Sequence, residues 1–407
     1  YVQKKRDDGH AVLKPSNVLK LCRAVLPFDE ASGREQVTYY DVGVGSMSKF
    51  PGTSNRMLST ADKFLGGAFG AGFEANVEDA LSFLVHNHLP GDEVFVFGFS
   101  RGAATARALT RFLDWSGGLP AKGDAYYLPR FFRQYLDSRG AVSAAEVRRA
   151  IDADRAAEPR PKEPLGPFQR VDIAFLGVWD TVMALGSRFR AAGESTSTAS
   201  RSFHVGARPA DCVRHARQAL AIDEARYDFR PEVWTDRHPH QTLEQRWFAG
   251  VHSNVGGGYV DDGLANLAYH WMLDEAVEQG LALSGDFAEI YRGYPQDRLY
   301  RSESWLYRLL DGVRLRFGRG RRSLSGWPAA AGLSLSPAVI HRLQADPEAR
   351  KANGELRFPA LRQLYRPENV LRFLACQSDL DRYLEELGLA DPAARALPAD
   401  VVQRLAE

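Results

Sequence analysis

The sequence has 407 residues, 44% of them hydrophobic and 25% charged, with a formal net charge of +1. This is the composition of an ordinary globular protein, long enough for one large domain with insertions or for two domains. The near-zero net charge gives no argument for nucleic acid or an acidic partner, and no apolar run has the ~20 residues that would span a bilayer. The three cysteines, Cys22, Cys212 and Cys376, are scattered. They form neither a disulfide framework nor a metal-ligand cluster, so no cofactor or metal is expected. No signal-peptide pattern opens the sequence, which begins at Tyr1.

In chain order, residues 1–14 are polar and irregular. Asn17 to Leu26 has helical spacing of its apolar residues, with Ser16 or Asn17 as the N-cap. Val37 to Asp41 is strand-like, residues 47–72 are glycine-rich and loop-like, and Phe73 to His86 reads as an amphipathic helix. Pro90-Gly91-Asp92 breaks that helix and leads into Val94-Phe95-Val96-Phe97, a short apolar run that reads as a buried strand. Gly98-Phe99-Ser100-Arg101-Gly102 follows at once, and then an alanine-rich run of high helix propensity. Strand, G-x-S-x-G and helix together predict a sharp corner with the serine exposed above a sheet. Gly98 and Gly102 are both expected to have no room for a side chain. The helix N-terminus behind Ser100 favours developing negative charge.

Residues 117–166 read as an insert between sheet strands, with Tyr126, Tyr127, Phe131, Phe132 and Tyr135 followed by an Ala/Arg/Glu helix and a proline-rich link. Such an insert is either a cap over an active site or a helical pair on the sheet edge. Val171 to Trp179 is the next strand, with Asp180 at its end. Residues 186–208 are Ser/Arg/Gly-rich and read as a mobile loop. Arg214 to Ile222 looks helical. Trp247 to Val251 is a short strand that ends in His252 and a glycine-rich turn, and Leu264 to Gly280 is a helix. Alternating strands and helices predict an α/β fold with a mainly parallel sheet flanked by helices. The expected organisation is a catalytic domain over 1–285 and a mostly helical extension over 286–407. Within that extension Arg314, Arg316, Arg319, Arg321 and Arg322 form a basic run, read as a solvated loop or a lipid contact.

A serine needs a base to take its proton, and the base needs a third group to orient it. In open α/β sheets such groups gather at the carboxyl ends of the strands. Ser100, Asp180 and His252 each follow a predicted strand, and their chain order Ser…Asp…His is that of α/β-hydrolases. Ser100 is therefore the candidate nucleophile, His252 the base and Asp180 the orienting acid, with the Arg101 backbone N–H as one oxyanion donor. Asp223, Asp261 and Asp262 compete for the acid's place. Among the histidines, His215 falls in the expected helix, His238 and His240 in a polar loop, and His86 and His88 at the close of a surface helix. No G-x-x-x-x-G-K-[ST] stretch is present, so no nucleotide site is expected.

The blocks VFGFSRGAATARAL, FLGVWDTV, ALAIDEARYDFRPEVW and WFAGVHSNVGGGYVDDGLANLAYHWML resemble the α/β-hydrolase family that includes the type VI secretion phospholipase effectors. The resemblance runs from about Asn17 to residue 283. It implies an α/β-hydrolase fold, hydrolysis of phospholipid acyl esters, and Ser100, Asp180 and His252 on the triad positions. It further implies an antibacterial toxin made in the bacterial cytoplasm and secreted without a signal peptide. Such a toxin has a secretion-spike carrier and an immunity protein as partners, and meets its phospholipid substrate by reversible membrane contact. The aromatic insert and the arginine run are the expected lipid contacts. Family members begin with a strand ending in Asp-Gly-Thr, which is absent here, so the second oxyanion donor is unnamed. The alternatives are a serine esterase or thioesterase on a non-lipid substrate and a non-catalytic binding module on the same fold.

Overall fold

Among the described residues five strands lie side by side in chain order and all run parallel: β1 (Glu93–Phe99), β2 (Asp172–Trp179), β3 (Val213–Ala221), β4 (Thr242–Phe248) and β5 (Leu333–Leu335). The computed structural model describes residues 4–5, 11–12, 15–41, 69–160, 162–182, 205–226, 229–301, 322–345 and 364–406. Two short hairpins, Lys4–Lys5 with Ala11–Val12 and Phe28–Asp29 with Arg34–Glu35, stand apart from the sheet. Among the described residues the helices before the insert are α1 (Asn17–Ala24), α2 (Phe69–Asn87) and α3 (Arg101–Ser116). Ser16 caps α1 by accepting from the Leu19 N–H.

Parallel strands must be covered on both faces, and β2 shows this most clearly. Leu176 and Val178 pack with Phe73, Val77 and Leu81 of α2 and with Phe112 of α3. Phe175 and Trp179, one position out of phase, pack on the other side with Leu21 of α1 and with Ala268 and Met272 of α7 (Gly263–Glu278). The period of two along one strand therefore feeds two separate cores. A third core joins Leu220 and Trp247 to the C-terminal helices Pro337–Gln344 and Glu368–Ala375. The sheet thus takes its last strand from residues beyond 285, and those residues share its core.

Two expected elements differ from the structure. Arg214 to Ile222 is not a helix: residues 213–221 form β3, bonded to β2 on one side and β4 on the other. Its Ala, Arg, Gln and Leu residues favour a helix in isolation, but a central sheet position overrides propensity. The alanines have a use there, because Ala216 faces one core and Ala219 and Ala221 the other, allowing close packing on both faces. Its one fully buried polar side chain, Gln218, accepts from Thr181 Oγ1 at 2.6 Å and donates to Gln245 Oε1 of β4 at 2.7 Å. Val37 to Asp41 has no strand partner among the described residues. Tyr39 instead stacks on Phe83 of α2 at 4.9 Å, while Val37 stays exposed.

The insert is a 3-10 turn at Lys122–Tyr127 followed by α4 (Leu128–Ser138) and α5 (Ala144–Ala156), the latter opened by a Ser143/Glu146 capping box. Phe131, Phe132 and Tyr135 are buried. The Phe112 ring of α3 lies 5.3 Å from Phe132 and 5.5 Å from Tyr135. These aromatics belong to the core and are not available as a lipid contact; of the five, only Tyr126 is largely exposed, at 85%. Of the expected loop 47–72, residues 69–72 are instead the first turn of α2; the rest of it, most of 186–208, and Arg314, Arg316, Arg319 and Arg321 lie outside the described residues. Arg322 lies inside them and is buried.

The corner after β1 is built as the motif predicts, except at one glycine. A Cβ on Gly98 would fall 2.4 Å from the Gly102 carbonyl oxygen and 2.6 Å from Ala103 Cα, so only glycine lets α3 start so close to the strand it follows. Gly102 is different: nothing among the described residues lies within 4 Å of a Cβ placed there. Gly98→Ala should therefore lower stability by about 1–3 kcal/mol, whereas Gly102→Ala, in the first turn of a helix, should be neutral or stabilising by up to about 1 kcal/mol. Denaturant melts of both variants check this. Phe131→Ala and Phe132→Ala should each cost about 3–5 kcal/mol in the same assay; values under about 1 kcal/mol would return them to the surface.

Candidate functional site

The register of the sheet puts the two strand-end residues next to each other. Phe99 pairs with Trp179, so Ser100 and Asp180 are the first residues beyond two adjacent strands. The Ser100 N–H donates to the Trp179 carbonyl at 3.0 Å, and the Asp180 N–H to the Ala219 carbonyl at 2.7 Å. Both residues have positive φ, 61° at Ser100 and 45° at Asp180. Non-glycine residues in this region are strained and cluster at functional sites. Ser100 Oγ is buried and has no hydrogen-bond partner among the described residues.

His252 opens a short helix, α6 (His252–Gly256), four residues beyond β4. Its approach to β1 depends on Gly256, where a Cβ would sit 1.9 Å from the Phe99 ring. With hydrogen there instead, the His252 ring comes to 4.6 Å from Phe99, the residue before Ser100, and meets Phe229 edge-on at 5.0 Å. His252 Nδ1 is 2.6 Å from Asp180 Oδ2. That bond assigns the Nδ1–H tautomer and leaves Nε2 as the acceptor. Nε2 is buried and has no partner among the described residues.

Asp180 is fully buried. Its Oδ1 accepts from the Ala221 N–H at 3.0 Å, and the Arg322 guanidinium holds both oxygens, reaching Oδ2 at 3.0 Å. Burial pushes the carboxyl up, but Arg322 and His252 together outweigh it and hold Asp180 well below the usual carboxylate range. Burial pulls the His252 imidazolium down, and the Asp180 bond only partly opposes this, so His252 titrates below an ordinary histidine. The His252 N–H also donates to Glu224 Oε2 at 3.3 Å, and Glu224 is in turn paired with Arg226 at 2.8 Å.

The competing residues have other partners. Asp223 accepts from the Gly250 N–H and from Tyr365 Oη. Asp262 pairs with the buried Lys20 at 2.7 Å, and Asp261 accepts from Tyr300 Oη. His215 lies on β3 against Thr242, His238 and His240 contact Asp211, and His88 meets Gln169. Arg101 begins α3, which places its backbone N–H in the first turn of a helix behind Ser100. Among the described residues no group of three or more His, Cys, Asp or Glu side chains is arranged to hold a metal.

Sequence reasoning missed Arg322 and Glu224. Arg322 closes a run of arginines with the pattern of a solvated loop, and no periodicity marks it as buried. Glu224 stands beside the competing Asp223 in Ala-Ile-Asp-Glu, where the sequence suggests only a cap or ion pair.

Among curated proteins the chain is similar to the uncharacterized protein YEL023C of Saccharomyces cerevisiae, at 25% identity over 233 residues. The match covers 54% of this chain and 30% of the yeast protein, so the chain spans less than a third of that relative's length. Among solved structures it is similar to an uncharacterized protein from Pseudomonas aeruginosa at 17% identity and a TM-score of 0.37, covering 99% of this chain and 60% of that one. It is also similar to the Tle1 effector bound to the VgrG spike of the type 6 secretion system at 16% identity and a TM-score of 0.37, covering 78% and 73% of the two chains. Residues 2–275 match the family described as "T6SS, Phospholipase effector Tle1-like, catalytic domain". With more than half of its length inside that match, the chain belongs to the Tle1-like family of type VI secretion phospholipase effector catalytic domains.

Proposed function

We propose that the chain is an α/β-hydrolase that cleaves acyl esters of phospholipids through Ser100, His252 and Asp180. The observation that carries this reading is the 2.6 Å bond from His252 Nδ1 to a buried Asp180. It leaves Nε2 as an acceptor whose ring packs against the residue preceding an unpartnered serine. Nε2 takes the Ser100 proton as Oγ attacks the acyl carbon. Asp180 stays ionised and stabilises the imidazolium. The Arg101 N–H, in the first turn of α3, donates to the oxyanion of the tetrahedral intermediate. His252 then gives its proton to the departing lysophospholipid oxygen, and water repeats the sequence on the acyl-enzyme. Ser100 and His252 are not hydrogen-bonded to each other here, and contacts of this kind tighten when substrate binds.

The substrate class rests on the family's description as phospholipase effectors. On that basis the whole protein is an antibacterial effector, delivered by a secretion spike to the membranes of a target cell and neutralised in the producer by an immunity protein.

Ser100→Ala and His252→Ala should each lower hydrolysis of a short-chain soluble ester by at least about four orders of magnitude, and Asp180→Asn by about three to four. Ser100 should be the residue labelled by a fluorophosphonate probe. Phospholipid vesicles followed by lipid analysis distinguish a phospholipase from an esterase: release of fatty acid and lysolipid supports the reading, whereas ester turnover with intact vesicles overturns the substrate. No labelling of wild type would leave a non-catalytic module.

The pH profile has a definite sign. The base works only as neutral imidazole, and burial lowers its affinity for the proton. The acid limb of kcat/KM should therefore have its midpoint below the ordinary value of about 6.5, with a plateau above about pH 7. A midpoint above about 7 in a chemistry-limited assay would contradict the assignment of His252.

A further inference from the structure

Arg322 is a buried cation whose side chain is 1% exposed. One terminal nitrogen binds Asp180 Oδ1 and donates to the Ala221 carbonyl at 2.7 Å. The other reaches Asp180 Oδ2 at 3.0 Å and the Phe229 carbonyl at 2.6 Å. Phe229 is the residue whose ring meets His252 edge-on. The guanidinium therefore spans the carboxylate, the end of β3 and the wall of the imidazole pocket. Its own backbone is held from further along the chain: Asn369 Nδ2 donates to the Arg322 carbonyl at 3.1 Å and to the Ile222 carbonyl at 3.2 Å. Tyr365 Oη, from the same segment, reaches Asp223 at 2.9 Å. All of these C-terminal residues lie beyond residue 275, where the family match ends.

We propose that Arg322 is a positioning residue for the reaction, clamping Asp180 so that its Oδ2 faces His252 Nδ1, and that the C-terminal region thereby completes the active site. This rests on the Ser100–His252–Asp180 reading above. The physical argument is geometric first. A carboxylate held by one N–H and one imidazole can still swing about its side-chain torsions, whereas a planar fork on both oxygens fixes its orientation. Charge adds a second effect. Among the described residues the charged groups around His252 are Asp180, Glu224, Arg226 and, through Asp180, Arg322. By offsetting the Asp180 charge, Arg322 favours the neutral imidazole that a base requires. The opposing reading is that Arg322 only anchors the C-terminal segment.

The test compares Arg322→Gln and Arg322→Lys in the full chain, each in the wild-type and Asp180→Asn backgrounds, with a soluble short-chain ester. Arg322→Gln should lower kcat about 100-fold with KM within about twofold, the scale of loss for a displaced catalytic group. Its acid limb should move to higher pH. Arg322→Lys, which keeps the charge without the fork, should recover about tenfold of that loss. In the Asp180→Asn background either substitution should cost less than about threefold more, because the residue acts through Asp180. If Arg322→Gln does not fold, Arg322→Lys makes the kcat comparison alone, with a loss of about tenfold expected in the wild-type background and less than about threefold in the Asp180→Asn background. Equal losses in both backgrounds with an unmoved acid limb, or a kcat within threefold of wild type, overturn the proposal. A wild type that neither turns over ester nor reacts with a fluorophosphonate would sink the triad reading instead. The clamp is then read from the His252 imidazole titration by NMR: an upward shift in Arg322→Gln that is larger than in Arg322→Lys supports it, and an unmoved midpoint in Arg322→Gln overturns it.

Discussion

A buried carboxylate is costly unless its charge is matched and its lone pairs are filled, and the centre of this molecule is arranged around meeting that condition at Asp180. A carboxylate offers about four acceptor positions. Here the Ala221 N–H, His252 Nδ1 and the two terminal nitrogens of Arg322 fill them. These donors come from three separate parts of the chain: the end of β3, the start of α6, and the segment before β5. Removing any one leaves a buried charge short of a partner, which ties the local site to the global fold.

The second requirement is close approach, and it is met by glycines at defined places. Gly98 lets α3 begin against the strand it leaves, and Gly256 lets α6 press against Phe99. At Gly257 the chain has φ 86° and runs beside the backbone of Pro15, Ser16 and Asn17. Asn17 completes that contact by donating to the Val255 and Ala265 carbonyls, both at 2.8 Å. The backbone pays for these approaches with positive φ at Ser100 and Asp180, strain that the surrounding hydrogen bonds sustain.

The C-terminal region is more than an appendage to this arrangement. It adds β5 to the sheet, builds the third core with Trp247 and Leu220, and delivers Arg322. The insert between β1 and β2 has the opposite character. Of its aromatic residues, which as a sequence suggest a surface for lipid, Phe132 and Tyr135 pack against Phe112 and Trp115 of α3 and Phe131 against Phe168.

Much of the fold and of the candidate site is legible in the sequence because it depends on local pattern. Apolar runs that lead to Ser100 and Asp180 mark β1 and β2, the second of them buried on both faces. The glycine at 98 marks a corner, and helical spacing over residues 17–26, 73–86 and 264–280 marks α1, α2 and α7 to within a few residues at their ends. What the sequence could not decide depends on partners distant along the chain. Residues 213–221 have the local propensity of a helix and become a strand because β2 and β4 supply hydrogen bonds on either side. Phe131 and Phe132 could face lipid or protein until α3 is placed beside them. Arg322 reads as one of several solvated arginines, and only tertiary structure brings it to a carboxylate 142 positions away. Periodicity and propensity report on neighbours a few residues apart, whereas the pairing of buried charges is set by which strand ends and loops meet in space.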